Sequence, residues 1–331
     1  MSRVKYQHYV PRFYLEGFQS RAGKLWCYDK MLDKAYQQSP DRLGGERLFY
    51  DLPEAEMKIG IPQFLEKWFN PLEADAASTL KTWRHRLRTI REFSPIADEL
   101  AIMSRFIAVQ ELRTPKSRKS TVEIASMAAT VSFYNYLGEK RPDLAEKIGN
   151  PFEEIQFDIP KEQWAYTHAR TLIDVPLIEE IAAILLGHIW FVSENNTEWT
   201  HYTSDHPVTK YPHAKHPIRS MSGFRSPGIQ IMYPLSPKHC LNLFERTFWK
   251  QHEHLHGEVF NQPLTNENME FYNSAQVIHS SRFIYCQQDA FDMARDMCLR
   301  DAELRNPNKH ELVFNRLSEV KPSPPDETSA S

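Results

Sequence analysis

From Leu65 to Leu87 an apolar side chain returns every third or fourth residue: Leu65, Phe69, Leu72, Ala76, Leu80, Trp83 and Leu87. That spacing follows the 3.6-residue period of one helical face, so the segment predicts a long amphipathic helix with one buried side. A second helix is predicted over roughly Ile96 to Thr114, with Ile102, Phe106 and Val109 facing inward. Pro115 turns Thr114 away from helical angles and should end it there. A third helix is expected over STVEIASMAATVSFYNYLGEK, closing near Gly138, and a fourth over about 161–187.

Strand patterns flank this helical middle. KLWCYDK (24–30) and KAYQQSP (34–40) read as the arms of a hairpin around Met31–Asp33. IWFVSE and EWTHYTSD, separated by NNT, are expected to form a second hairpin because both are rich in aromatic and β-branched residues. GIQIMYPL, CLNLFE and RFIYCQ add further strands, with a helix at about 265–279 before the last. The opening QHYVPRFYLEGF reads as a short docked helix. Pro11 suits its first turn, Gly17 suits its stop, and Val10, Phe13, Tyr14 and Phe18 share its inner face. The expected fold is α+β: a central helical bundle packed with an antiparallel sheet formed by N-terminal and C-terminal strands. One composite domain is expected over residues 1–316, with a disordered Pro/Ser-rich tail over 317–331.

Composition narrows the function classes. The formal net charge of −3 over 331 residues leaves no global basic field for nucleic acid, only room for local patches. The four cysteines, Cys27, Cys240, Cys286 and Cys298, form no C-x-x-C pair, so neither a disulfide framework nor a cysteine-rich zinc site is expected. The start of the chain lacks an apolar signal core. The apolar run IAAILLGHIWFV is broken by Gly187 and His188 and falls short of the roughly 20 residues a membrane span needs. A cytoplasmic protein with no membrane segment is the expectation. With 11 glycines and no P-loop or dinucleotide fingerprint, backbone phosphate cradles are poorly supplied.

Several polar groups stand where chemistry is possible. HEHLH (252–256) fits the H-E-x-x-H zinc pattern literally, but it follows a strand-like segment and meets Gly257, so a polar loop is expected. Glu66 and Glu73 lie seven residues apart, sharing a helical face about 10 Å apart along the axis, at the border of the apolar stripe. Gln110 and Arg113 border the second helix's apolar face in the same way. Such boundary charges form either a structural network or a polar site between the helices. In YTSDHPV, Ser204 and Asp205 occupy a strand-to-turn junction, capping the turn or supplying a base or metal ligand. Ser236 in YPLSP is expected to cap a similar junction. KTWRHRLRTIR and RTPKSRK place cations at the ends of the two long helices, a phosphate-attracting patch if those ends meet.

Taken in order, QHYVPRFYLEGF, LEKWFNPLEADAASTL, FIAVQELRTPKSR, YTSDHPV, YPLSP and YNSAQVIHSSRFIY resemble the domain-of-unknown-function family 4238, whose members open with a His-Tyr-Val-Pro segment. The resemblance spans about residues 7–287 and matches His8, Pro11, Glu66, Glu73, Gln110, Arg113, Ser204, Asp205, Pro207, Asn273 and Arg282. HEHLH lies outside those positions. The resemblance implies that the boundary residues belong together, and it implies no reaction.

The functional expectation is a phosphodiester hydrolase, most plausibly a nuclease acting on RNA or DNA. His8, Glu66, Gln110, Arg113 and Asp205 are its candidate catalytic residues. Arg84, Arg88, Lys116, Arg118 and Ser204 are its candidate substrate contacts, and Glu73 with Asp205 would hold a divalent ion, Mg²⁺ or Mn²⁺. The alternative is a non-catalytic module binding nucleic acid or protein, with the same cluster as a structural ion network.

Overall fold

The computed structural model describes residues 4–155, 157–216 and 220–307, so the expected tail lies outside the described residues. Strand β1 (Tyr6–His8) leads into a short helix, α1 (Arg12–Leu15), which tightens into a 3₁₀ turn over Glu16–Phe18. Strands β2 (Leu25–Asp29), β3 (Lys34–Gln38) and β4 (Gly45–Arg47) follow. The helical middle comprises α2 (Pro53–Ile59), α3 (Phe64–Thr89), α4 (Ala97–Leu112), α5 (Pro115–Lys140), α6 (Pro142–Ala145), α7 (Pro151–Glu154), α8 (Lys161–Leu172) and α9 (Val175–Leu186). Then come β5 (Ile189–Glu194), β6 (Thr203–Ser204), β7 (Thr209–Pro212), β8 (Ile229–Pro234), β9 (His239–Phe244) and β10 (Glu258–Phe260). Helix α10 (Asn266–His279), β11 (Phe283–Cys286) and α11 (Asp292–Arg300) complete the order.

The α+β class holds, and the apolar stripe forms as expected. Leu65, Phe69, Ala76, Leu80, Trp83 and Leu87 of α3 are buried in one core, against which Leu72 packs. Helices α3 and α4 run antiparallel. Trp83 Nε1 donates to Glu99 Oε2 at 3.0 Å near the start of α4, and Arg113, just past the end of α4, reaches Glu73. The sheet of N- and C-terminal strands also forms, in the order β3-β2-β11-β6, all antiparallel. A second sheet, β10-β5-β9-β8-β7, is built from the C-terminal half alone, and β1 pairs with β4.

Four local expectations are corrected. IWFVSE and EWTHYTSD do not pair: β5 lies between β9 and β10, whereas β6 joins β11 in the other sheet. The reason is that Ile189–Ser193 are all buried, so this strand needs neighbours on both edges and cannot be half of an isolated hairpin. The expected helix over 161–187 is two helices. Asp174 accepts from Leu177 N at 3.1 Å, and Pro176 sits in the first turn of α9, which together make a start signal inside the apolar run. Gly138 does not close α5, which continues to Lys140. Gly17 is not a helix stop either. It lies within the 3₁₀ turn, where an added Cβ would overlap the Arg84 guanidinium.

The apolar opening segment is pinned into the core. Tyr9, Val10, Tyr14, Leu15 and Phe18 are buried, and the Tyr14 hydroxyl donates to Pro234 O at 2.8 Å.

Candidate functional site

The residue after each member of the α3 stripe forms a second ridge, turned about 100° from the core. Its first half carries Glu66 and Glu73, and its second half carries Lys81, Arg84 and Arg88. The opening segment runs beside this ridge. The His8 carbonyl meets Arg113 near Glu73, and the carbonyls of Phe13 and Tyr14 meet Arg84.

The acidic half is organised by Arg113, whose side chain is 1% exposed. Its Nη1 donates to Glu73 Oε1 at 2.7 Å, and its Nη2 donates to His8 O at 2.7 Å. Its guanidinium carbon lies 4.9 Å from the Phe69 ring centre. Gln110 Nε2 donates to Tyr9 O at 2.9 Å, so two neighbouring side chains hold two consecutive carbonyls of the opening segment. Around this clamp His8 Nε2, Glu66 Oε1, Gln110 Oε1 and Arg113 Nε are buried with no hydrogen-bond partner. Burial pushes the Glu66 carboxyl up to about 7, with Arg113 opposing and Glu73 reinforcing the rise. Burial lowers the His8 imidazole, and the Pro40 carbonyl opposes that shift. A tautomer protonated at Nδ1 satisfies that carbonyl and leaves Nε2 with an open lone pair.

The structure thus brings His8, Glu66, Glu73, Gln110 and Arg113 together, but it does not join Asp205 to them. Both carboxylate oxygens of Asp205 are occupied by backbone: Ser281 N at 2.8 Å, Arg282 N at 2.7 Å and Phe283 N at 2.8 Å. Arg282 in turn grips Asp29 with two bonds, at 2.9 and 2.6 Å, tying β2 to the turn before β11. Asp205 is a strand-end clasp whose two oxygens are both engaged by backbone amides, an arrangement that favours a structural role over the expected catalytic and metal ones. Ser204 is wholly buried and donates to Gln276 Oε1 at 2.7 Å, so it offers no substrate contact. Asn273 behaves likewise, accepting from Tyr202 N and donating to Thr200 O.

The basic runs do not form one patch. Because α3 and α4 are antiparallel, Arg84 and Arg88 lie beside the start of α4, and Lys116 and Arg118 lie beyond its end. Arg84 donates to Leu235 O, Phe13 O and Tyr14 O at 2.7, 3.0 and 2.8 Å, so its guanidinium is spent on the wall. Arg118 stacks 3.4 Å from the Phe49 ring centre and donates to His168 Nδ1 at 3.2 Å. Lys116 Nζ donates to His279 O at 3.3 Å. Arg88 alone of this set is exposed on a cavity, a pocket of about 750 Å³ that Lys81, Arg84, Lys238, His239 and Ser236 also line.

One buried constellation escaped the sequence reading. Glu111 Oε1 accepts from Lys210 Nζ at 2.6 Å, its Oε2 lies 3.3 Å from His206 Nε2, and His206 Nδ1 is 2.7 Å from Thr114 Oγ1. Burial would raise the Glu111 carboxyl, but Lys210 and His206 outweigh it and hold the group well below the usual carboxylate range. The only local signal is an acid following the run of buried residues Phe106–Gln110.

Metal ligation finds little support in the donor sets. Among the described residues no group of three or more His, Cys, Asp and Glu side chains is placed to hold an ion. HEHLH runs from a 3₁₀ turn into its cap, and two of the three motif groups are engaged elsewhere: His256 Nδ1 accepts from Trp190 N at 3.1 Å, and Glu253 pairs with Arg246. Among the described residues no helix is long and apolar enough to cross a membrane.

Compared with known families, the chain matches DUF4238, a family described as a protein of unknown function, over residues 6–290, and it belongs to that family. No curated protein and no solved structure matches it.

Proposed function

Starting from that membership, which assigns no reaction, we propose that the chain is a phosphodiester hydrolase of the nuclease type. The observation that carries this reading is the pair of buried, unpartnered acid–base atoms beside Arg113: Glu66 Oε1 on a carboxyl with a pKa near 7, and His8 Nε2 on a neutral ring. At neutral pH His8 Nε2 takes a proton from a water that attacks phosphorus. Protonated Glu66 gives its proton to the leaving oxygen as the P–O bond breaks. Arg113 acts as a positioning residue. It fixes His8 through the main-chain carbonyl and supplies positive charge next to Glu73. A cation-lined pocket on the same helical ridge favours an anionic substrate. Cytoplasmic placement belongs to the same reading and rests on the absence of paired cysteines.

The test is cleavage of end-labelled single-stranded RNA and DNA by the purified chain, in EDTA and with Mg²⁺ or Mn²⁺. Loss of cleavage in His8→Ala and Glu66→Gln, with both variants still folding cooperatively, is the expected result. Full activity in both variants, or none in the parent, removes the reading.

The clamp favours one alternative, a binding module that does not turn over. Gln110 and Arg113 bond to backbone carbonyls, as residues fixing a docked segment do. That reading expects His8→Ala to leave binding intact and Arg113→Ala to destabilise the chain sharply.

A further inference from the structure

We propose that the pocket between α3, the opening segment and the β8–β9 turn is a phosphate-binding subsite for single-stranded nucleic acid. This inference rests on the phosphodiesterase reading and names where its substrate strand is held. The cavity of about 750 Å³ is in the size range of small-molecule sites. Lys81 and Arg88 enter it from α3, and Lys238 enters from the β8–β9 turn. All three side chains belong to exposed residues, and none has an ion-pair partner among the described residues. Glu16, the one acid in the lining, is paired with Arg12 at 2.9 Å. Three uncompensated cations therefore face one concavity on a chain whose formal charge is −3.

The wall behind them is rigid. Arg84 ties the carbonyls of Phe13, Tyr14 and Leu235 together, so the opening segment, α3 and the end of β8 cannot drift apart without breaking three bonds. Ser236 Oγ accepts from Lys238 N at 3.3 Å and from His239 N at 3.1 Å, and lies 3.0 Å from His239 Nδ1. Those bonds set the turn that carries Lys238. A single carboxylate would neutralise one of the three cations; a run of phosphates answers all of them. A strand whose phosphates can turn toward one concavity presents them to all three cations at once, which favours a single strand. Lys81 follows Glu66 on the ridge by fifteen residues, roughly 22 Å along the axis. A strand seated on the cations therefore extends along the same ridge toward the His8–Glu66 centre.

Fluorescence anisotropy of the full chain with labelled U12 RNA and dT12 DNA, over a salt series, tests this. Lys81→Glu, Arg88→Glu and Lys238→Glu should each weaken binding, and together by about tenfold or more, with a shallower salt slope. Lys147→Glu, a surface reversal in the turn after α6, should change nothing. Parental binding by the triple variant, or equal loss on Lys147→Glu, overturns the proposal. The two readings fail separately. Binding lost in the triple variant of a chain that cleaves nothing removes only the reaction, and cleavage with an unaltered KM in the triple variant removes only the subsite.

Discussion

Arg113 and Glu73 form an ion pair of 2.7 Å that spans the protein boundary: the guanidinium is 1% exposed and the carboxylate 27%. Its cation is therefore buried, while its anion touches water. An arrangement of this kind is costly to break from the buried side and cheaper from the rim, because an unpaired interior charge has no solvent to fall back on.

Arg113→Ala is accordingly expected to lower unfolding free energy by about 3 kcal/mol, since it also strands the His8 carbonyl. Glu73→Gln keeps an acceptor and should cost about 1 kcal/mol. Urea melts followed by circular dichroism give both numbers. Equal costs would mean that the asymmetry has no energetic content.

Glu66 makes a pH prediction with a definite sign. Burial raises its folded-state pKa from 4.5 to about 7, so the folded protein holds a proton that the unfolded chain has released. Stability from this group is fully present below about pH 4.5 and is lost as pH rises through 7, a difference of at most roughly 3 kcal/mol. Glu66→Gln should flatten that stretch of the stability curve. The parent's cleavage rate should fall over the same range as the acid loses its proton. His8 acts in the opposite sense: its lowered pKa withdraws stability as pH falls below about 6.5. A His8→Ala chain should therefore resist mild acid better than the parent.

Asp205 separates structure from chemistry. Its three backbone bonds hold the entry to β11, and replacement by Ala or Asn leaves buried N–H groups unsatisfied. Both variants should lose about 3 kcal/mol or more yet keep full activity per folded molecule at low temperature. A folded but inactive Asp205→Asn would return this residue to the catalytic set.

Local periodicity made α3 legible, because the stripe from Leu65 to Leu87 reports on a single helix whatever it packs against. The cluster around Arg113 was legible for a related reason: boundary polar residues at helical spacing must find partners close to the core. Pairing between distant segments was not legible. The partners of β5 lie at β9 and β10, beyond the whole of β6–β8, and nothing within IWFVSE distinguishes a central strand from a hairpin arm. The basic runs misled for a topological reason. Each sits near a helix end, but a short connection between α3 and α4 reverses the chain and sends the two ends apart. Asp205 was ambiguous because a carboxylate beside a histidine looks the same in sequence whether it faces a ligand or three amides.

Gly17 and Arg84 provide a prediction that neither residue makes alone. The glycine lies against the guanidinium so closely that a Cβ would overlap it, while three carbonyls prevent the arginine from stepping aside. Gly17→Ala should therefore cost about 1–3 kcal/mol in the parent, the range for overpacking a fixed site. In an Arg84→Ala background the obstacle is gone, and the same substitution should cost almost nothing beyond the loss of Arg84 itself. A double-mutant cycle read by denaturant melts isolates this coupling. If Gly17→Ala is equally costly in both backgrounds, the glycine serves its own 3₁₀ turn and not the approach of Arg84. Binding of labelled U12 by Gly17→Ala then reads whether that wall also shapes the pocket: a displaced Arg84 should weaken it while Lys81, Arg88 and Lys238 are all still present.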